Sequence, residues 1–203
     1  MGSRSVDVYL ERSLMAAIAI CFATVEGQTE RIACRMAGQF EARGHDPTVV
    51  NVDRPPEGFD PAAFEFVIVA ASVHFGDHSA AAQSFVAEHL AALQAVPSAF
   101  VSVSLAAAES DPESQATAEE YLETFLDDVG WTPDRAVSVA GSLRYPEYRL
   151  PKRLLMRFKL GREGKPTDTS REYEATDWAA LNRVTESIGT ELDRAPTDGK
   201  RQS

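Results

Sequence analysis

An α/β fold with a doubly wound, five-stranded parallel sheet of order 2-1-3-4-5 is predicted for this 203-residue chain. Three observations predict it. Apolar runs without polar alternation recur along the sequence, as expected for strands covered on both faces. Segments of helical periodicity separate those runs, which is the pattern of strands joined by crossover helices. The first run also ends in a Thr/Gly turn that opens at once on a helix, the arrangement of a ligand-binding switch point.

Residues 16–23 are the first strand, unbroken in apolar character. Residues 28–43 carry Ile32, Met36, Ala37 and Phe40 at helical spacing, and Gly44 closes that helix. Residues 48–52 form a short second strand and residues 64–73 a fully apolar third. An Ala-rich helix over 79–95 stops before Pro97, and residues 98–105 are the fourth strand. An acidic amphipathic helix over 113–129 precedes the fifth strand, residues 134–141. The last helix, 176–194, aligns Trp178, Leu181, Val184, Ile188 and Leu192 on one face, with Thr176 as its cap. About 34 residues separate the fifth strand from that helix, far beyond an ordinary connection. A long loop at a strand's carboxyl end is where such folds place ligands, so this insertion reads as functional.

Composition bounds the options. With 44% hydrophobic and 25% charged residues the chain is globular, and its net charge of −11 argues against a nucleic-acid partner. Two cysteines, Cys21 and Cys34, are too few for a disulfide scaffold and fit a reducing cytoplasm. The apolar run 14–23 spans ten residues, about half of a membrane-crossing helix, and its flank pairs Arg4 and Arg12 with Asp7 and Glu11. A buried strand therefore suits it better than a signal peptide. Residues 1–14 read as an extension, 15–195 as one domain containing a basic insertion at 143–166, and 196–203 as a disordered tail.

The turn after the first strand is Thr24-Val25-Glu26-Gly27-Gln28-Thr29. A helix N-terminus offers free N–H groups and partial positive charge to a phosphate. Gly27 permits close backbone approach, and the Thr24 and Thr29 hydroxyls can donate hydrogen bonds. No Lys follows the glycine and no G-x-G-x-x-G is present, which excludes a Walker loop and a dinucleotide fingerprint. A phosphate monoester such as that of FMN suits the loop; an ordinary capped turn is the bland alternative.

At this point the chain resembles the flavodoxin family, which binds FMN at the carboxyl ends of its strands. Within that family it is similar to the menaquinone-dependent protoporphyrinogen oxidases, a branch with a long insertion after the last strand. The similarity is carried by residues 97–105, 131–135, 140–149, 166–169 and 176–178, and residues 143–149 (Leu-Arg-Tyr-Pro-Glu-Tyr-Arg) are its most specific part. Glu26 stands where many plain flavodoxins have a hydroxyl residue, and residues 150–165 match more loosely. The resemblance implies FMN as cofactor, a porphyrinogen-like carboxylated substrate and a quinone acceptor, in haem biosynthesis.

Two further loops can meet the flavin ring. The first is Ser72-Val73-His74-Phe75-Gly76, where His74 and Phe75 supply flat faces. The second is Ser104-Leu105-Ala106-Ala107, which has no aromatic residue and so leaves one ring face open to a substrate or quinone. The resemblance adds Gly141, Leu143, Arg144 and Tyr145 to this surround. His74 and His78 are four residues apart, but a flat loop and the lack of a third ligand argue against a metal. His45 and His89 read as surface or interface residues. No catalytic acid or base is identified; His74 and Arg144 are the candidates for placing protons or substrate near the ring.

The insertion reverses the charge of the chain. Eight cations against Glu147 and Glu163 give residues 144–165 a charge of +6, so the other 181 residues carry −17. Apolar Leu150, Leu154, Leu155 and Phe158 interleave with the cations. Arg144, Arg149, Lys152, Arg153 and Arg157 therefore suit substrate carboxylates, an anionic membrane surface, or both; a solvated loop paired with the acidic body is the bland alternative. The first functional expectation is an FMN-dependent, quinone-linked dehydrogenase, cytoplasmic or peripheral on the inner face of the cell membrane. The second is a flavodoxin-type electron carrier docking on redox proteins, and the third a regulatory domain without flavin. A homo-oligomer is compatible with all three.

Overall fold

The computed structural model describes residues 15–141, 143–144, 172–173 and 176–194. Five parallel strands lie in the order β2-β1-β3-β5-β6, with β1 (Ala17–Ala23), β2 (Asp46–Asn51), β3 (Phe66–His74), β5 (Ser98–Ser104) and β6 (Arg135–Ala140). Counted along the parallel strands this is the expected 2-1-3-4-5 order. A two-residue strand, β4 (Asp77–His78), folds back antiparallel on the end of β3 and adds a sixth member that no apolar run announces.

Strand β2 begins at Asp46, two residues ahead of the expected start, because its pairing with β1 runs from Ala17↔Asp46. Pro47 inside it lacks a donor, and an edge strand is where that loss is tolerated. The central strands have no solvent face. Ile18, Ile20 and Phe22 of β1 face one layer while Ala19, Cys21 and Ala23 face the other, and all are buried. Two apolar cores follow, one on each side of the sheet.

The first core receives helix α1 (Gln28–Ala42) through Ile32, Met36 and Phe40, and helix α4 (Trp178–Leu192) through Leu181 and Ile188. The second receives α2 (Ala80–Ala95) through Phe85, Val86 and Leu93, and α3 (Pro112–Val129) through Leu122 and Phe125, sealed by Trp131. Local chemistry sets the helix ends. Ser79 caps α2 by accepting from Ala82 N–H, and Asp111 caps α3 by accepting from Ser114 N–H, with Pro112 in its first turn. That same bond holds the Asp111 carboxyl below the usual carboxylate range. Helix α3 stops at Gly130, whose φ of 64° suits a left-handed C-cap.

Helix α4 is pinned along α1 rather than merely packed on it. Arg35 Nε donates to Asn182 Oδ1 at 3.0 Å, its guanidinium lies 5.2 Å from the Trp178 ring, and Arg43 pairs with Asp193 at 2.6 Å. His45, expected at the surface, is instead buried against Phe40, with Nε2 3.3 Å from Asp193. The N-cap of α4 is also not the expected Thr176: Asp177 accepts from Ala180 N–H.

Beyond β6, β7 (Leu143–Arg144) pairs antiparallel with β8 (Glu172–Tyr173), so the chain leaves and re-enters through a two-stranded ribbon. The expected extension 1–14, the interior of the basic insertion with Tyr145, Arg149, Lys152, Arg153 and Arg157, and the tail 196–203 lie outside the described residues.

Candidate cofactor site

Parallel pairing brings the ends of β1, β3, β5 and β6 to one edge of the sheet, so the loops after them are neighbours. In register, Phe22 lies opposite Ala70, Ser72 opposite Val103, and Ser104 opposite Ala140. The three expected loops, 24–29, 72–76 and 104–107, are thus gathered together with Gly141. They meet because the strands that precede them are central and fully buried, which fixes their mutual height.

The loop after β1 is built for an anion. Gly27 sits at the N-cap of α1 with φ 82°, a left-handed conformation that favours glycine. Its N–H donates to Thr24 Oγ1 at 2.9 Å, which closes the loop on itself. No side chain caps α1, whereas Ser79, Asp111 and Asp177 cap the other three described helices. In the first turn Thr29 is 0% exposed, and its hydroxyl oxygen has no hydrogen-bond partner among the described residues. Such a buried hydroxyl costs about 1–3 kcal/mol unless something else meets it. Ser72, at the end of β3, carries a second buried hydroxyl without a partner among the described residues. These orphaned donors at adjacent strand ends fit a phosphorylated ligand of FMN type.

The loop after β3 is a tight ribbon turn. His74 pairs with Asp77 across it, and Phe75 at its tip has φ 55°, a left-handed conformation costly for an aromatic residue. Phe75 is 73% exposed, so most of its surface is open. Gly76 follows with φ 99°, and open space lies where a Cβ would stand. An exposed aromatic side chain at a strained backbone position suits contact with a flat ligand.

His74 also makes a contact that no sequence spacing reveals. Its Nε2 lies 2.5 Å from Glu26 Oε2, tying the β3 loop to the β1 loop, and both side chains are largely buried. His78 goes elsewhere: it packs against Phe100 and Phe125 and shares a 3.0 Å hydrogen bond with Ser102 Oγ. Burial lowers its pKa to about 4, which makes it a neutral core residue. His74 and His78 therefore do not converge on one point. Cys21 is likewise buried, its thiol pushed up to about 12, while Cys34 lies exposed on α1 away from the site.

The long connection between β6 and α4 starts and returns at this edge. At its start, Gly141 N–H donates to Ser104 O at 2.8 Å, and an added Cβ there would lie 3.3 Å from Val103 Cγ1. At its return, Thr176 Oγ1 accepts from Gln28 Nε2 at 2.6 Å, with both residues buried. Gln28 belongs to the first turn of α1. Leu143 and Arg144, in β7, follow Gly141 by two and three residues. Among the described residues no helix is long and apolar enough to cross a membrane.

Comparison with known proteins agrees with this geometry. Residues 19–170 match the model of the flavodoxin domain family. The chain is 34% identical over 175 residues to the protoporphyrinogen IX dehydrogenase [quinone] of Escherichia coli K12, covering 86% of this chain and 96% of that one. It is 35% identical over 166 residues to a protein of the same name from Leishmania major, covering 80% of this chain and 70% of that one. Among solved structures, the apo form of the NADH:FMN oxidoreductase EmoB superposes with a TM-score of 0.52 at 12% identity, over 90% of this chain and 93% of that one. That likeness is one of fold. With its sheet order, its uncapped first helix and a match across most of its length, the chain belongs to the flavodoxin domain family and has FMN as its cofactor.

Proposed function

We propose that the protein is an FMN-dependent dehydrogenase that oxidises protoporphyrinogen IX and delivers the electrons to a quinone. Bound FMN supplies the two-electron chemistry, and the chain supplies orientation, access and charge. In this reading Thr24, Val25, Glu26, Gly27, Gln28 and Thr29 hold the phosphate end. Ser72, Val73, His74, Phe75 and Gly76 border the ring on one side, and Ser104, Leu105, Ala106 and Ala107 on the other. Gly141, Leu143, Arg144 and Tyr145 complete the surround.

One observation carries the reading beyond a simple electron carrier: the residues that precede and follow the long connection between β6 and α4 are hydrogen-bonded into the cofactor loops, Gly141 to Ser104 and Thr176 to Gln28. Residues 144–165 carry +6 in a chain whose remainder is −17, a charge that suits an anionic substrate at this edge. Arg144, Arg149, Lys152, Arg153 and Arg157 meet the propionates of the porphyrinogen, where Arg can bind a carboxylate bidentately. The same cations draw this edge toward an anionic membrane, at about 1 kcal/mol each near the lipid, where quinone is dissolved. The names and 34–35% identity of the relatives support this substrate and acceptor.

Replacing residues 146–170 by a two-residue Asn-Gly turn tests the assignment, because the β7–β8 ribbon can close on a hairpin turn. The trimmed protein is expected to retain FMN and to lose quinone-linked oxidation of protoporphyrinogen. Retained turnover would contradict the role of the insertion in meeting substrate.

A further inference from the structure

Helices α1 and α4 pack on the same side of the sheet, and their starts meet at the cofactor edge. Gln28, in the first turn of α1, is 5% exposed, and Thr176, just ahead of the Asp177 cap of α4, is 8% exposed. The Gln28 amide is engaged at both polar atoms. Its Nε2 donates to Thr176 Oγ1 at 2.6 Å, and its Oε1 accepts from Arg31 NH1 at 3.2 Å. Moving this amide breaks a buried hydrogen bond, so its position is tied to that of Thr176. The fastening continues along the two helices. The guanidiniums of Arg31 and Arg35 lie 5.9 Å and 5.2 Å from the Trp178 ring, and Asn182 Oδ1 accepts from Arg35 and Gln39.

The first turn of α1 is also the turn on which a phosphate would rest. No side chain caps it, so its leading N–H groups are held less firmly than those of a capped helix. An anion that takes up those N–H groups fixes the turn, and with it the backbone of Gln28. The Gln28 side chain then carries that order to Thr176, where α4 begins.

We infer that Gln28 and Thr176 couple the FMN phosphate to the docking of α4: an occupied phosphate turn holds the start of α4, and a docked α4 holds the turn in its binding form. The inference rests on the FMN reading and adds to it a role for a residue 148 positions from Gln28 in sequence. Thr176 is a positioning residue, acting on the phosphate through Gln28. The coupling is reciprocal, so FMN favours docked α4 by the same factor by which docked α4 favours FMN. It is also separable from the rest of the α1–α4 packing. At the far end of α4, Arg43 pairs with Asp193 at 2.6 Å, and Leu181 and Ile188 are buried in the core between the two ends. Those contacts keep α4 folded when the Thr176 hydroxyl is removed.

The test compares FMN with riboflavin, the same flavin without the phosphate, on the full chain. Amide hydrogen exchange of α4 is followed by mass spectrometry at saturating ligand. Dissociation constants come from quenching of flavin fluorescence, and circular dichroism melting checks that each variant is folded. In the wild type FMN is expected to slow exchange at the start of α4 about fivefold more than riboflavin does. Thr176→Val should remove that difference and weaken FMN binding by about the same fivefold, with riboflavin binding little changed. Thr176→Ser keeps the hydroxyl and should behave as the wild type. Asp193→Asn loosens α4 at its far end; it should lower the melting temperature and leave the ratio of FMN to riboflavin affinity unchanged. A ratio shifted as far as in Thr176→Val would mean that any loosening of α4 acts on the cofactor, and would overturn the specific coupling. Equal protection by the two flavins in the wild type, or wild-type FMN affinity in folded Thr176→Val, would overturn it and leave the FMN assignment intact. A folded wild type that binds no FMN would instead refute the flavin assignment, and the coupling with it.

Discussion

Replacing Thr29 by Val separates what this residue does for the fold from what it does for the cofactor, because the two effects have opposite signs. Thr and Val have the same branched shape, and Thr29 is 0% exposed, so the swap creates no cavity. In the protein without flavin the hydroxyl is buried and has no partner among the described residues. Removing it relieves a desolvation cost of about 1–3 kcal/mol, of which local relaxation recovers part. The apo protein should therefore melt at an unchanged or higher temperature, about 2–4 °C per kcal/mol recovered for a chain of this size. With FMN the sign reverses. A hydrogen bond from a hydroxyl to a charged phosphate contributes about 1.5–3 kcal/mol, so Thr29→Val should weaken FMN binding roughly 10- to 150-fold. Differential scanning fluorimetry of the apo protein and fluorescence titration with FMN measure the two halves. Apo destabilisation by more than about 1 kcal/mol would mean the hydroxyl is satisfied within the fold. An unchanged FMN dissociation constant would mean that the phosphate does not sit on α1.

Phe75→Gly should leave the apo melting temperature unchanged or raise it, because glycine accepts the φ of 55° that strains phenylalanine, while FMN affinity drops with the aromatic face; a clear loss of apo stability would contradict this. His78 makes acid sensitivity predictable. Its pKa is lowered to about 4 in the fold, so the unfolded chain binds the extra proton and stability falls as pH drops from about 6.5 to 4. The loss is about 3 kcal/mol, and His78→Gln should remove that slope in urea titrations at stepped pH. Gln28→Leu and Thr176→Val should couple by about 1 kcal/mol in a double-mutant cycle on stability, since they share a buried 2.6 Å bond; additive effects would show that the return of the insertion is not fastened to the β1 loop.

The sheet and its loops were legible because they rest on patterns that one strand or helix carries alone. Ile18–Cys21 and Val67–Ala71 are buried on both faces, and a run without alternation says so directly. Gly27 announces its left-handed turn, and Pro112 and Gly130 bracket α3 as their backbone preferences dictate. What escaped was short or distant in sequence. Strand β4 has two residues, and the β7–β8 ribbon joins residues almost thirty apart, both too brief to leave a periodic signal. Asp46 and Pro47 join the strand expected from residue 48 because they pair with β1 at the sheet edge. His45 reads as a surface or interface residue, yet it is buried, with Asp193, 148 residues later, 3.3 Å from its Nε2. The Glu26–His74 and Gln28–Thr176 contacts likewise exist only once the strands set loop against loop. Spacing predicts which residues share an element; it carries no information on which ends of two elements will meet.

The proposed reaction takes electrons from a porphyrinogen and passes them through FMN to a quinone. Anaerobic mixing of the FMN-loaded protein with protoporphyrinogen IX, followed by addition of menaquinone, tests it most directly. Bleaching of the oxidised-flavin absorbance by the first reagent is expected, with its recovery on adding the second and protoporphyrin formed in step with flavin reduction. A flavin that stays oxidised in the presence of protoporphyrinogen, in protein that binds FMN normally, would contradict it.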